Sequence, residues 1–232
     1  MSIAVRSVSS AEPITLPPSL QPKLDDGLNA LSAIGTVVRF GRNETIFSDG
    51  DDASYSYRLI SGTVRLCKLM SDGRRQIAEF LGAGNFLGFE WLETHAFTAE
   101  ALTDVVAVRY VRRHLDRLGD ERGDVRRSLM AVLSHDLWAA QNHLVMLGRQ
   151  SARERVVSFL LALAERSGTK DGGTIEVPMG RQDIADYLGL TIETVCRTIS
   201  DLKRMRLIGV PNRTQISLTN LEKLREIAEG DL

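Results

Sequence analysis

Residues 181–208 read RQDIADYLGLTIETVCRTISDLKRMRLI and carry the clearest structural pattern in the chain. They predict a helix over RQDIADYLG, a tight connection at Leu190 and Thr191, and a second helix over IETVCRTISDLKRM. Two short helices around a turn that contains a glycine, here Gly189, are typical of a helix-turn-helix. The following segments, LIGVPN and RTQISLTN, predict a β-hairpin, and LEKLREIA predicts a terminal helix. The hairpin makes the predicted unit a winged helix-turn-helix.

The second helix has two chemically different sides. Thr191 is a suitable N-cap, since its hydroxyl can accept a hydrogen bond from a backbone N–H of the first turn. At about 100° per residue, three apolar side chains fall on one side and predict the buried side of the helix. They are Val195, Ile199 and Leu202. The opposite side carries Glu193, Cys196, Arg197, Ser200 and Arg204, with Ile192 at the border.

The outward side chains suit the major groove of DNA. Arginine can donate two hydrogen bonds to guanine, glutamate can accept one from cytosine, and an apolar group can contact the methyl of thymine. We expect base contacts from Ile192, Glu193, Cys196 and Arg197. We expect contacts with the DNA backbone from Arg181, Thr191, Thr194, Ser200, Lys203, Arg204 and, in the wing near Asn212, from Arg213. The alternative for Glu193 and Arg197 is an ordinary solvated ion pair, and the spacing alone does not separate the two.

The region from Thr36 to Tyr110 has a different pattern. The short segments VVRF, TIF, YSYRLI, TVRLCKLM, RQIAEFL and VVAVRY are separated by turns such as SDGDD, SG, SDG and GAG. Short strands with regular turns predict a β-sandwich or barrel. Residues 1–22, which contain four of the six prolines, are expected to form a poorly ordered arm.

A long helix is predicted from about Glu121 to Leu147. Its apolar residues Met130, Leu133, Leu137, Ala140, Leu144 and Leu147, which we call the seam, are spaced alternately by three and four. This narrow stripe is typical of helices that pair, so we expect a homodimer interface there. The alternative is a helix that lays the stripe on its own domain, although such stripes are usually broader. Gly148 predicts a break before a further helix over 152–166.

Composition excludes several classes of protein. The net charge is −1, which permits DNA binding without favouring it. No apolar run approaches the ~18 residues of a membrane helix, and the N-terminus lacks the pattern of a secretion signal. Cys67 and Cys196 are too few for a disulfide framework, an iron–sulfur cluster or a zinc site, so we expect a cytoplasmic protein without a metal. Cys67 alternates within a strand, which predicts a packing role.

Residues 181–208 closely resemble the helix-turn-helix of the CRP/FNR family of bacterial transcription regulators, and ETVCRT matches the family's E-T-x-x-R signature. GTVRLCKLMSDGRRQIAEFLGAGNFLG (62–88) resembles the family's β-roll, and the seam helix resembles its dimer helix. The resemblance implies an α+β fold. Its parts would be a β-roll at 23–120, a dimerisation helix at 121–148 and a winged helix-turn-helix at 149–232.

By the same resemblance, Glu193 and Arg197 read bases in the major groove. Ile192 stands where cyclic-AMP-type members often have arginine, which points to the FNR/FixK branch and to TTGA-N6-TCAA-like palindromes. A dimer would then read two inverted half-sites about one helical turn apart. Activation also implies RNA polymerase as a partner.

Departures from the family pattern bear on ligands. The phosphate-binding region of cyclic-AMP binders corresponds to Gly88-Phe89-Glu90 and Phe97-Thr98-Ala99 here. Phe97 replaces the arginine that grips the phosphate, and Glu90 would repel an anion, so we expect no cyclic-nucleotide binding. The N-terminal cysteine cluster of oxygen sensors is also missing. Both absences favour FixK-type activators, which work without a cofactor in low-oxygen respiration or nitrogen fixation.

Two further hypotheses remain open for this sequence, a redox switch and a ligand sensor. Cys196 is a candidate redox switch, because the helix N-terminus and Arg197 both favour its thiolate; the alternative is that a small side chain simply fits there. A ligand-responsive sensor of the same fold is the alternative function, binding a cyclic nucleotide or a haem. Haem needs only one axial ligand, such as one of the scattered His95, His114, His135 and His143. No motif of an enzyme is present.

Overall fold

The computed structural model describes residues 26–89 and 92–230. The predicted arm at 1–22 lies outside these residues. Within them, the first part is a β-roll of two antiparallel sheets, with strand orders β1-β8-β3-β6 and β2-β7-β4-β5. The strands are β1 (Thr36–Phe40), β2 (Thr45–Phe47), β3 (Tyr55–Ser61), β4 (Val64–Leu69), β5 (Arg75–Leu81), β6 (Phe86–Leu87), β7 (Thr98–Ala101) and β8 (Val105–Val111).

The core of the roll lies between the two sheets. Leu59 and Ala107 come from one sheet and Val64 and Leu81 from the other, and all four are buried in the same cluster. Each of the six predicted β segments contains a strand. The two strands that the prediction missed, β6 and β7, are two and four residues long and lack the β-branched run that marks a strand.

Helices frame the roll. A short helix α1 (Asp26–Ala30) and a 3-10 turn (Leu31–Ala33) precede β1, and α2 (Arg112–Glu121) follows β8. Helix α2 was not predicted, because its residues had been assigned to the end of the roll. The long helix α3 (Gly123–Arg149) then begins two residues later than predicted.

The predicted break before the next helix is present, but it lies at Gln150 and Ser151 and not at Gly148, which is still helical. The helix continues through Gly148 to Arg149, and Gln150 ends it with an extended backbone. A glycine inside a helix costs about 1 kcal/mol relative to alanine, which weakens a helix without ending it. Gly148 is also absent from the residues with positive φ that commonly terminate helices.

The two sides of α3 have different surroundings. Val125, Leu129 and Val132 are buried against α1, α2 and the outer side of the roll. The seam points away from this cluster: Met130, Leu137 and Leu144 are 57%, 60% and 69% exposed. Of the remaining seam residues, Ala140 is exposed and Leu133 and Leu147 are half-buried.

The C-terminal part is a winged helix-turn-helix with its own core. It comprises α4 (Ala152–Ser167), β9 (Thr174–Glu176), α5 (Arg181–Leu188), α6 (Ile192–Arg204), β10 (Ile208–Asn212), β11 (Gln215–Leu218) and α7 (Leu221–Glu229). Ser151 begins α4 with a capping box that includes Glu154. The hairpin β10–β11 extends into a three-stranded sheet, because β11 also pairs with β9.

The roll and the winged unit share a packed boundary. Phe80 of β5 contacts Phe159 of α4 and Tyr187 of α5, with ring centroids 6.1 and 5.2 Å away. Ile77 of β5 is buried in the same cluster as the core of the winged unit. The position of the helix-turn-helix is therefore set partly by the roll. Among the helices of the described residues, none has the length and hydropathy needed to cross a membrane.

Candidate nucleic-acid interface

The turn between α5 and α6 fixes the angle of the second helix. Gly189 has φ of +62° and closes α5 in the left-handed conformation that glycine adopts without strain. Thr191 then caps α6, as predicted, because its hydroxyl accepts a hydrogen bond from the backbone N–H of Thr194 at 3.3 Å. These two features give the helix-turn-helix its geometry.

The buried side of α6 consists of the residues that the sequence predicted. Val195, Ile199 and Leu202 are buried in the core of the winged unit. Thr198 is also buried, which the prediction did not include. Its place between Val195 and Leu202 on the helix surface puts it on this side. Because these four side chains are buried on one side of α6, the opposite side of the helix faces solvent.

The outward side of α6 is exposed and polar. Glu193, Cys196, Arg197, Ser200 and Lys203 are all exposed, and Ile192 is half-buried at the helix tip. Ser200 turns its hydroxyl back to the carbonyl of Cys196 at 2.9 Å. The predicted base-contacting residues therefore share one accessible surface.

Glu193 and Arg197 do not form an ion pair with each other within the part of the chain that the structure describes. The pKa of Glu193 is lowered mainly by its own backbone N–H and by the hydroxyl of Thr191. The charge of Arg197 contributes least to this lowering. The solvated ion pair that the spacing allowed is thus not observed, and the guanidinium of Arg197 is left facing solvent.

The predicted backbone-contacting residues border this surface. Arg204 is exposed and pairs with Asp201 at 2.8 Å, so part of its charge is already neutralised. Arg181 is half-buried at the start of α5; burial lowers its pKa, which an interaction with Cys196 partly opposes. Arg213 is exposed in the turn of the wing, next to Asn212. The side chain of Asn212 accepts a hydrogen bond from the N–H of Thr214 and orders that turn.

The two cysteines have opposite environments. Cys196 is exposed on the outward side of α6. Cys67 is buried, as its predicted packing role requires, and its thiol lies 3.6 Å from the carboxylate of Glu100. Burial, and then the charge of Glu100, raise the pKa of Cys67 to about 11. Cys67 is therefore protonated at neutral pH and chemically inert.

Arg155 is a residue that the sequence interpretation missed. Its Nη2 donates to the carbonyl of Leu147 at 2.8 Å, its Nη1 to that of Leu188 at 2.9 Å, and its Nε to that of Gln150 at 2.9 Å. These carbonyls belong to the end of α3, the end of α5 and the α3–α4 connection. Arg155 therefore joins the long helix to the helix-turn-helix. The available signal was one arginine beside the apolar run VVSFLLALA.

Phe97 and Glu90 are the residues predicted to exclude cyclic nucleotides. Phe97 is half-buried next to β7. Glu90, the residue expected to repel an anion, lies outside the described residues. His95 is buried and stacks on Phe47 with ring centroids 3.7 Å apart. The absence of cyclic-nucleotide binding stays a prediction.

Two family models match the chain in the order that the fold requires. A cyclic nucleotide-binding domain matches residues 37–122, and a Crp-like helix-turn-helix domain matches residues 154–227. The first covers strands β1–β8 with α2, and the second contains α5, α6 and the wing. The match of the first model concerns the fold of the roll.

Similar proteins extend over most of the chain. It is 42% identical to the nitrogen fixation regulation protein FixK of Azorhizobium caulinodans over 85% of this chain and 81% of that protein. It is 41% identical to FixK of Bradyrhizobium diazoefficiens over 79% and 78% of the two chains. The structure of FixK2 from Bradyrhizobium japonicum superimposes with a TM-score of 0.79 and 37% identity, over 83% of this chain and 96% of that one.

These relatives are regulators of transcription, and the chain is not an enzyme. The predicted fold, a β-roll followed by a long helix and a winged helix-turn-helix, is confirmed. The chain belongs to the CRP/FNR family of transcription regulators, in its FixK-like branch.

Proposed function

We propose that the protein is a dimeric transcription activator that reads two inverted half-sites of a DNA operator. One observation carries this proposal: α6 presents Glu193 and Arg197 to solvent, unpaired with each other, while its opposite side is fixed in the core. Exposed hydrogen-bonding groups on a rigid helix are what base recognition in the major groove requires.

The side chains of α6 divide into two roles in this proposal. Arg197 donates to a guanine and Glu193 accepts from a cytosine, with Ile192 and Cys196 beside them at the base edges. Backbone contacts come from Arg181, Thr191, Thr194, Ser200, Lys203, Arg204 and Arg213. The backbone contacts supply a salt-dependent affinity, and the base contacts supply the sequence preference.

The dimer would form along α3. The seam exposes large apolar side chains, and a second α3 with the same stripe would remove them from water. A two-fold axis through paired helices places two copies of α6 on one face of the DNA. Palindromic operators follow from this symmetry.

The names of the similar proteins support a proposal about the target genes. FixK proteins are named for the regulation of nitrogen fixation, and FnrL of Cereibacter sphaeroides is named a transcriptional activator. We expect TTGA-N6-TCAA-like operators, targets in low-oxygen metabolism or nitrogen fixation, action in the cytoplasm and a contact with RNA polymerase.

Cys196 is proposed as a redox switch. Its thiolate would attack one oxygen of hydrogen peroxide and break the O–O bond, which gives a sulfenic acid and hydroxide. A second peroxide would oxidise the sulfenic acid to a sulfinate, with release of water and a proton, and the phosphates of DNA would repel this sulfinate.

Selection of bound sequences from a random double-stranded DNA pool tests the proposal. The purified full chain should enrich an inverted repeat of two half-sites at a constant spacing, with at least one G·C pair in each half-site. Enrichment of single half-sites would overturn the dimeric arrangement. Retention of the pool without any enrichment would overturn sequence-specific recognition.

A further inference from the structure

Helix α5 has an acidic side that faces the roll. Asp183 and Asp186 lie within its first two turns and point at Arg65 of β4 and Arg75 of β5. Arg75 bonds Asp186 through Nε at 2.8 Å and Asp183 through Nη2 at 2.6 Å. Arg65 bonds Asp183 at 2.8 Å and Glu100 at 2.8 Å. We call these five residues the α5–roll ion network.

The α5–roll ion network is partly desolvated. The side chains of Asp183 and Asp186 are 11% and 12% exposed, and that of Arg75 is 25% exposed. Burial alone would lower the pKa of Arg75, but the hydrogen bond to Asp186 and the two carboxylate charges outweigh it and raise this pKa. Because a guanidinium donates through several N–H groups in one plane, these contacts fix the orientation of α5 on the roll as well as its distance. The adjacent apolar contacts of Phe80 do not have this directionality.

The network acts on a helix whose other end is already fixed. Arg155 binds the carbonyl of Leu188, the last residue of α5, and that of Leu147 in α3. Asp183 also accepts a hydrogen bond from the N–H of Gly180 through Oδ2, so its contact with the roll uses the other oxygen. Without the network, the N-terminal half of α5 would be held by apolar contacts such as those of Ile184 and Ala185, which restrict its direction less than forked ion pairs do.

From this geometry we infer that Arg65 and Arg75 are positioning residues that set the distance and angle between the two copies of α6 in the dimer. The inference rests on the proposed function, since it assumes two half-sites read at once. Val125, Leu129 and Val132 pack the roll against α3. In the proposed dimer, α3 lies along the two-fold axis. The network completes a connection from that axis through the roll to α5, and α6 follows α5 across the Gly189 turn.

Operator spacing is the property that this connection controls. One added base pair moves a half-site by about 3.4 Å and rotates it by about 34° around the DNA. A rigid dimer cannot follow that change, so it should prefer one spacing strongly. A dimer in which α5 tilts can follow it, at the cost of some affinity for the preferred operator. Base preference within each half-site depends on α6 alone and should not change.

The experiment compares the full-length protein with Arg75→Glu, which turns the attraction into repulsion. Affinities are measured for the selected operator, for operators one base pair shorter and longer, and for one with a base change in a half-site. We expect the ratio between preferred and altered spacing to fall about tenfold in Arg75→Glu, with the half-site ratio unchanged. The double variant Arg75→Glu/Asp186→Arg should restore the spacing ratio.

Arg74→Glu is the matched control. Arg74 lies on the same hairpin and is exposed, and its ion pair is with Asp72 of the same turn. It should leave both ratios unchanged, although it removes the same charge. If Arg75→Glu does not fold, Arg75→Gln serves the same comparison without the repulsion.

A folded Arg75 variant with the spacing ratio of the unmodified protein would overturn the inference alone. An equal loss of affinity for every operator would also overturn it, because that result indicates a general loss of structure. If the unmodified protein shows no spacing preference, the proposed function fails and the inference falls with it.

Discussion

Helices α3 and α6 both present a face that the rest of the described chain leaves uncovered, but the two faces differ in chemistry. On α3 the uncovered residues are apolar, with Leu137 and Leu144 60% and 69% exposed. On α6 they are polar, with Glu193 and Arg197 not paired with each other. Exposed apolar area is unfavourable in water and is stabilised by a like surface, whereas exposed polar groups are stable until a partner offers matching donors and acceptors. In the proposed function, the first face therefore binds a second copy of the chain and the second binds DNA.

The largest expected effect is on the apolar face. Leu137→Glu/Leu144→Glu places two pairs of like charges at the proposed interface, so the dimer should dissociate. Operator affinity should fall by about a thousandfold, since one subunit loses the contribution of the other half-site. Light scattering and DNA titration measure the two changes.

Arg127→Gln is the control for the double seam variant. Arg127 is exposed on α3 outside the seam, and this change should leave the dimer intact. A double seam variant that stays dimeric with full affinity would show that the apolar face of α3 has a different role.

The second effect is on the polar face. Arg197→Ala removes a contact with a base worth about 1–3 kcal/mol, and a dimer loses it twice. Discrimination between the operator and scrambled DNA should fall by about a hundredfold, as competition binding measures. Lys203→Ala, on the same helix, should weaken both DNAs about equally and lower the salt dependence. Full discrimination by Arg197→Ala would contradict the assigned role.

The third effect is on stability and concerns Glu79, a carboxyl of the roll that lies near α3. Glu79 of β5 is half-buried. Burial, and then the charge of Asp136 in α3, raise its pKa to about 7, against the opposing charges of Arg166 and His135. Between pH 4.5 and 7 the folded state keeps a proton that the unfolded state has lost, so this carboxyl destabilises the fold as pH rises. Glu79→Gln should therefore be more stable than the unmodified protein at pH 8, by roughly 1–3 kcal/mol. The gain should nearly vanish at pH 4.5.

Urea unfolding at constant protein concentration measures this gain, because dimerisation also contributes to stability. Glu165→Gln, at an exposed position of α4, is the control and should show no pH-dependent gain. A gain for Glu79→Gln that is equal at both pH values would contradict the assigned protonation.

The smallest effect separates the two cysteines. Hydrogen peroxide should lower operator affinity severalfold through Cys196, which is exposed on the polar face. Cys196→Ser should resist this treatment, and Cys67→Ala should respond like the unmodified protein because Cys67 is buried and protonated. Loss of binding by peroxide-treated Cys196→Ser would remove the redox proposal. Fluorescence anisotropy with labelled operator measures the responses.

Local patterns allowed much of this molecule to be predicted from its sequence. The buried side of α6, its Thr191 cap and the exposed seam each depend on residues within a few turns of one another. Helix α2 was missed because RRHLDRLGDE has few apolar residues to mark a period. The bond from Arg155 to Leu188 spans 33 positions, and the bonds from Arg65 and Arg75 to α5 span 108 to 118 positions. Only the folded chain brings such residues together, so no local pattern marks them.

The pairing of β11 with β9 has a consequence for the mobility of the winged unit. Strand β9 precedes α5 and β11 closes the wing, and Gln215 binds the Glu176 carboxylate across them at 2.6 Å. The chain therefore enters and leaves the helix pair through one sheet. Any local opening that frees the wing must also disrupt the segment that leads into α5. Amide hydrogens of Ile216 and of the inner side of α6 should accordingly exchange with solvent in a single cooperative event.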